Sequence, residues 1–130
     1  MKLEGLYVLD FNDPYVKCIL ITIRRNFNRT PKDLNESVSN GCIYTYNIDG
    51  EAVGTITIKK YKNSYLFMDL YVRREYRTLG IGSKIMNYFL VKHINEKIIL
   101  GSNIKNVGWF SKFPFRVINK VGNIILMETY

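Results

Sequence analysis

Between residues 64 and 94 the spacing of the apolar residues changes, and that change fixes what the middle of the chain can become. Leu66, Met68, Leu70 and Val72 alternate with Tyr65, Phe67, Asp69 and Tyr71, the period of a strand. From Ile81 the spacing becomes four. Ile81, Ile85 and Phe89 form one row and Met86, Leu90 and Ile94 another, which predicts a helix with one broad apolar face. The two are joined by a charged loop, Arg73-Arg74-Glu75-Tyr76-Arg77-Thr78-Leu79, closed by Gly80-Ile81-Gly82. A helix start leaves backbone N–H groups unpaired and carries roughly half a positive charge. Glycines at 80 and 82 let a ligand approach those groups, and such a turn suits a pyrophosphate. Arg73, Arg74, Arg77 and Lys84 strengthen the positive field.

Two other phosphate-binding motifs are excluded by their chemistry. A P-loop needs Gly-Lys-Ser/Thr, whereas this chain has Gly82-Ser83-Lys84. A dinucleotide fingerprint needs a small residue where Ile85 stands and an acid about 20 residues on.

The flanking segments predict alternating elements. Leu6 to Leu9 reads as a short strand. Asp13-Pro14 reads as an N-cap with proline at the first helical position, opening a helix to Phe27 with Val16, Ile19, Leu20 and Ile23 on one face. A second short helix follows Thr30-Pro31, over Asp33 to Val38. Cys42 to Tyr46 and Ala52 to Lys60 read as strands around an Asp49-Gly50 hairpin, and a turn at Lys62-Asn63-Ser64 completes a three-strand meander. Lys97 to Leu100 reads as a strand, Asn103 to Lys112 as a short helix, and Phe115 to Ile118 and Asn123 to Met127 as strands around Gly122. The order predicts an α+β fold in which a mixed, mainly antiparallel central sheet is flanked by helices.

Composition narrows the class. A chain of 130 residues that is 47% hydrophobic and 23% charged predicts one folded domain over residues 1–130, and that mix excludes a disordered chain. The longest apolar stretch, near Cys18 to Ile21, is far below the ~20 residues of a bilayer span, so no membrane partner is expected. Two cysteines, Cys18 and Cys42, make no disulfide framework. No basic and apolar leader opens the sequence, and the expected location is cytoplasmic. The net charge of +8 is uneven. Residues 1–65 carry nine Lys/Arg against seven Asp/Glu, and residues 66–130 carry ten against four. Such a field favours a phosphorylated partner, either a nucleic acid or a phosphate-rich cofactor.

Leu70-Tyr71-Val72 followed by Glu75 to Lys84 strongly resembles motif A of the GCN5-related N-acetyltransferases (GNAT), whose core is Arg/Gln-x-x-Gly-x-Gly/Ala between a strand and a helix. Trp109-Phe110-Ser111-Lys112-Phe113-Pro114-Phe115 resembles the family's later Phe-Tyr-x-Lys-x-Gly-Phe segment, and Asn103 matches an asparagine often found six residues before it. The resemblance covers most of the chain and implies the three-layer GNAT fold, with acetyl-CoA as cosubstrate and no metal. It implies that main-chain groups of Leu70, Tyr71 and Val72 pair with the pantetheine arm. Backbone N–H groups of Arg77, Thr78, Leu79, Gly80, Ile81, Gly82 and Ser83, with Lys84 beside them, hold the pyrophosphate. Asn103 contacts the pantetheine or orders a water beside it, and Phe110 borders the cofactor. The reaction implied is direct transfer of the acetyl group to a primary amine.

The pattern breaks at the acid. The family's usual tyrosine falls on Phe110, which has no proton to give; Tyr88 and Tyr130 are the tyrosines that tertiary structure could bring close. Pro114 replaces a glycine, and Arg74 stands where proline is common. Asp69 is the candidate base, on the expected face of Tyr65, Phe67 and Tyr71; Glu75 is a loop charge and His93 falls late in a helix. Trp109 reads as core or pocket wall. The acceptor stays open among a small amine, a protein and an aminoacyl-tRNA, and a homodimer is expected by analogy alone. Two other functions remain on the sequence: a CoA-binding sensor or interaction module with little catalysis, which Phe110 motivates, and a basic nucleic-acid-binding domain.

Overall fold

In a computed structural model, which describes residues 4–130, seven strands form one sheet in the order β1-β2-β3-β4-β5-β7-β6. The strands are β1 (Glu4–Val8), β2 (Ile43–Ile48), β3 (Glu51–Tyr61), β4 (Ser64–Val72), β5 (Lys97–Ser102), β6 (Phe115–Val121) and β7 (Ile124–Thr129). Every pairing is antiparallel except β4 with β5. The helices are α1 (Val16–Phe27), α2 (Pro31–Ser39), α3 (Ile81–Lys92) and α4 (Val107–Phe110). This is the mixed α+β sheet that the sequence predicts.

Local chemistry accounts for most boundaries. Asp49 and Gly50 both take positive φ, 51° and 82°, so a two-residue turn joins β2 to β3 with the twist a hairpin requires. Thr30 caps α2 by accepting the Asp33 N–H at 3.1 Å, and Pro31 opens that helix. Asp13 behaves differently from its predicted capping role. Its carboxylate accepts the Tyr15 N–H at 2.8 Å, closing a turn, and α1 begins only at Val16. Helix α3 stops at Lys92, which leaves Ile94 on the surface at 75% exposure rather than on the apolar face. The predicted helix from Asn103 to Lys112 shrinks to α4, one turn rich in aromatics.

The sheet has an apolar layer on each side. On one, Leu9 and Ile43 pack with Ile19 and Ile23 of α1 and Leu34 and Val38 of α2. On the other, Ile81, Ile85, Met86 and Phe89 of α3 pack on Tyr44, Tyr46, Val53, Ile56, Ile58, Ile98 and Leu100, with Trp109 and Phe110 of α4 at the margin. Gly54 marks the closest approach of α3 to the sheet. A Cβ there would lie 2.6 Å from Ile85 Cδ1 and 2.8 Å from the Tyr71 carbonyl oxygen. Ile85 can swing away, but the β4 backbone cannot do so cheaply. We expect Gly54→Ala to cost about 1–3 kcal/mol through overpacking, read as a lower midpoint in urea with an unchanged m-value.

Candidate active site

The site begins where β4 loses a partner on each side. Thr57 pairs with Asp69 and Ile58 with Phe67, so Met68 is a bulged residue with no counterpart in β3. On its other edge β4 pairs with β5 only over Ser64–Leu66 against Lys97–Ile99. From there β5 continues to Ser102 paired with β7, so beyond Leu66 the two parallel strands part. The Arg73 N–H bonds the Val53 carbonyl of β3 at 2.8 Å. Alternation then turns the main-chain groups of Tyr71 toward β3 and those of Leu70 and Val72 toward the gap. The Val72 carbonyl accepts Arg77 Nε at 2.8 Å, and the Arg77 guanidinium lies 5.4 Å from the centre of the Tyr71 ring. Two strands with open polar edges facing each other can take an extended amide-bearing chain between them.

The loop after β4 carries the second half of the site. Arg73 is bound to Glu51 and to Glu75, the latter at 2.9 Å, so its charge is compensated. A short 3-10 turn at Arg74–Tyr76 leads to Thr78, a β-branched residue held at φ 69°, and then to Gly80 at φ 74°. A Cβ on Gly80 would meet nothing within 4 Å. No side chain caps α3 and its first turn contains no acid, so the N–H groups of Ile81, Gly82 and Ser83 are presented without a protein partner from a side-chain cap. Such an end can hold a diphosphate. Gly82 plays another part than Gly80. Its missing Cβ faces inward, 3.7 Å from Trp109 and 3.9 Å from Leu70 and Val72, so it sets how closely α3 sits on α4 and β4. Lys84 lies 3.7 Å from Glu4, and the Asn103 side-chain oxygen accepts the Asn106 N–H at 3.0 Å, ordering the turn before α4.

The bulge also re-aims Asp69. The sequence predicts one face for Tyr65, Phe67, Asp69 and Tyr71, but the extra residue at Met68 divides them. The Tyr65 ring lies 5.1 Å from His93 and the Phe67 ring 5.7 Å from Phe110, both on the α3–α4 side. Asp69 and Tyr71 face α1 and α2, where Tyr71 meets Phe27 edge-on at 6.5 Å. Asp69 is almost wholly buried. Its Oδ2 accepts Arg29 Nη2 at 3.0 Å and Nε at 3.3 Å, while Oδ1 makes no hydrogen bond. Burial pushes the Asp69 carboxyl above its ordinary value; the nearby Thr57 hydroxyl and the Arg29 guanidinium pull it down without cancelling the effect. Thr55 and Thr57, on β3 beside Tyr71 and Asp69, also bury hydroxyl oxygens with no hydrogen bond. Two cavities lie along this face. One, of about 500 Å3, includes Cys18, Thr22, Thr55 and Tyr71 in its wall. The other, of about 660 Å3, is bordered by Arg29, Thr57 and Met68.

Phe110 packs beside β4 with its ring edge-on to Phe67, Trp109 and Phe115, a cluster with no acidic hydroxyl. Neither alternative tyrosine replaces it: Tyr88 packs on Tyr46 over the β2 side of the sheet, and Tyr130 is 82% exposed beyond β7. His93 is buried between Tyr44, at 2.9 Å from Nε2, and Glu96, at 2.7 Å from Nδ1, which ties the end of α3 to β2. Trp109 fills the space under Gly82. Sequence reasoning missed Arg29, which lies 40 residues from its partner and is marked by no local pattern. The threonines at 55 and 57 were legible as a polar row of period two.

A model of the acetyltransferase (GNAT) domain matches residues 39–117. The chain belongs to the GNAT family. Among curated proteins no sequence matches the chain. Among solved structures, N-acetylglutamate synthase from Neisseria gonorrhoeae, complexed with coenzyme A and N-acetyl-glutamate, gives a TM-score of 0.73 at 12% identity over 98% of this chain; the chain spans only 35% of that protein. A GNAT acetyltransferase from Elizabethkingia anophelis with acetyl-CoA bound gives 0.68 at 14% identity, covering 98% of this chain and 97% of that one. PaiA N-acetyltransferase from Thermoplasma acidophilum in complex with coenzyme A gives 0.65 at 19%, covering 98% of both. At these identities the likeness is one of fold. As a GNAT domain the protein is an N-acetyltransferase that uses acetyl-CoA. Among the described residues no group of His, Cys, Asp or Glu could hold a metal ion, and no helix is long and apolar enough to cross a membrane.

The GNAT domain's helix start can be tested without disturbing its core. Gly80→Asp places a carboxylate in open space beside the α3 N–H groups, at a φ that aspartate tolerates better than most residues. Because a charge at a helix start is worth about 1 kcal/mol, up to ~2, coenzyme A affinity by calorimetry should fall about tenfold. An unchanged Kd would refute the cradle.

Proposed function

We propose that the chain acetylates a primary amine by direct attack on the acetyl-CoA thioester, and that one continuous segment, Leu70 to Lys84, does the binding. The observation that carries this reading is the coincidence in that segment of a strand edge open to the gap and an uncapped glycine helix start. In this reading the N–H groups of Arg77, Thr78, Leu79, Gly80, Ile81, Gly82 and Ser83 hold the diphosphate, with Lys84 contributing charge. Leu70 and Val72 receive the pantetheine, while Tyr71 supports them from the β3 side. Arg77 must release the Val72 carbonyl for that edge to be fully used. Asn103 borders the arm at the end of β5, and Phe110 forms the apolar wall beside the reacting carbon. Acetyl-CoA supplies the activated acyl group; the protein excludes water and positions the amine.

An ammonium near pKa 10 must lose a proton before it can attack. Asp69 is assigned that proton, because its Oδ1 is a buried acceptor with no hydrogen bond beside the bulge. A coenzyme A thiolate, with a conjugate acid near pKa 8.5 as for other thiols, leaves without a dedicated acid, which is how a site with Phe110 can turn over. The acceptor is an amine on a small molecule, on a protein or on an aminoacyl-tRNA. The net charge of +8 disfavours polycations as acceptors. We place the enzyme in the cytoplasm as a monomer or homodimer. Phe110 favours one second reading, a CoA-binding module with little catalysis.

Thiol release from acetyl-CoA across a panel of primary amines separates these readings: release with no amine above the hydrolytic background would support the module. Asp69→Asn should lower kcat/KM about 10²–10⁴-fold with coenzyme A affinity unchanged. Since only the ionised carboxylate accepts a proton and burial raises its pKa, kcat/KM of the native protein should rise with pH along a limb above the ordinary carboxylate range. A limb at the ordinary value would remove Asp69 from the mechanism. Phe110→Tyr should raise kcat by less than the ~10²–10⁴-fold of a full general acid, because the thiolate already leaves readily; a slower enzyme would argue that the apolar wall itself is needed.

A further inference from the structure

Asp69 is anchored by a residue that no local pattern marks. Arg29 comes from the connection between α1 and α2, and its Nη2 and Nε both point at the same carboxylate oxygen, Oδ2, at 3.0 and 3.3 Å. The Asp69 side chain is 2% exposed and the Arg29 side chain 25%. The other oxygen, Oδ1, is left without a hydrogen bond. Across the strand pair from it stands Thr57, whose equally buried hydroxyl is near enough to favour the ionised carboxylate. Thr57 and Arg29 border the cavity of about 660 Å3 that opens beside Met68. Leaving a buried carboxylate oxygen unpaired is costly, so an arrangement that satisfies one oxygen twice and the other not at all has a use for the second.

We propose that Arg29 is a positioning residue: it holds Asp69 by Oδ2 so that Oδ1 faces the Thr57 hydroxyl and receives the acceptor's proton. This rests on the reading of Asp69 as the base. The step balances as a proton transfer. An N–H bond of the acceptor ammonium breaks, directly or through a water or the Thr57 hydroxyl, an O–H bond forms at Oδ1, and the neutral amine keeps the electron pair with which it attacks. Arg29 stays protonated throughout. The same contact pins the α1–α2 connection to the sheet beside the bulge, together with the Phe27–Tyr71 ring contact. The other charged groups around this cavity are Asp33 and Glu36 of α2 and Lys59 and Lys60 of β3.

The direct test follows the Asp69 carboxyl carbon by NMR titration in the native protein, Arg29→Gln and Arg29→Lys, with Tm and coenzyme A affinity measured on each to establish folding. In Arg29→Gln the Asp69 midpoint should rise by about 1–3 pH units, and Arg29→Lys should restore part of that shift. With whichever amine of the panel supports thiol release, the acid limb of kcat/KM should move up by the same amount, and Arg29→Gln should add little to Asp69→Asn. A lower Tm with an unmoved Asp69 midpoint would make Arg29 a structural tie and overturn the proposal. A moved midpoint with an unmoved kinetic limb would also overturn it. Full activity in Asp69→Asn would instead defeat the underlying reading of the base, whatever Arg29 does. If Arg29→Gln does not fold, the Arg29→Lys titration decides alone: an unmoved midpoint and limb there overturn the proposal.

Discussion

Met68 is the one bulged residue of β4, left without a counterpart in β3, and the site is arranged around it. A bulge raises local twist and lets a strand bend, and beyond Leu66 the parallel partner β5 no longer follows. Two consequences come from this single irregularity. The edge of β4 at Leu70 and Val72 is left open toward β5, and the parity of the strand is reversed, so that Asp69 turns from the α3 side to the α1–α2 side. In a regular strand the carboxylate would share a face with Phe67 and Tyr65, beneath α3 and α4. The bulge puts an open strand edge and a buried carboxylate within one short stretch of chain.

Electrostatics divides the molecule in a way that net charge conceals. The arginine-rich loop suggests a uniform positive field, yet Arg73 is compensated by Glu51 and Glu75, Arg77 folds back on Val72 and Tyr71, and Lys84 approaches Glu4. The helix start adds the backbone's own partial charge to what these side chains leave. A diphosphate held by main-chain N–H groups needs glycine at the one position where φ is positive and space is open, and Gly80 meets both conditions. Thr78, held at positive φ just before it, stores strain in the same turn.

The apolar side of the gap is built as firmly as the polar side. Trp109, Phe110, Phe113 and Phe115 pack edge to face, and such pairs contribute ~0.5–1.5 kcal/mol each beyond their buried area. Phe110 is thus a packed member of an aromatic cluster. In the proposed reading such a site relies on a good leaving group and on a base, the role proposed for the buried Asp69 oxygen.

Much of this was already written in the amino-acid order. Period two giving way to period four around Gly80-Ile81-Gly82 determines strand, loop and helix, because each spacing buries one face only in its own geometry. Asp49-Gly50 and Thr30-Pro31 set a hairpin and a helix start through backbone preferences that need no distant partner. Only the folded chain decided the rest. A bulge depends on which residues two strands present to each other, so no pattern within β4 foretold that Met68 would be skipped or that Asp69 would change sides. Arg29 found its carboxylate across 40 residues because packing of α1 and α2 on the sheet carried it there, and contacts of that range are fixed by the tertiary arrangement, not by neighbours in sequence.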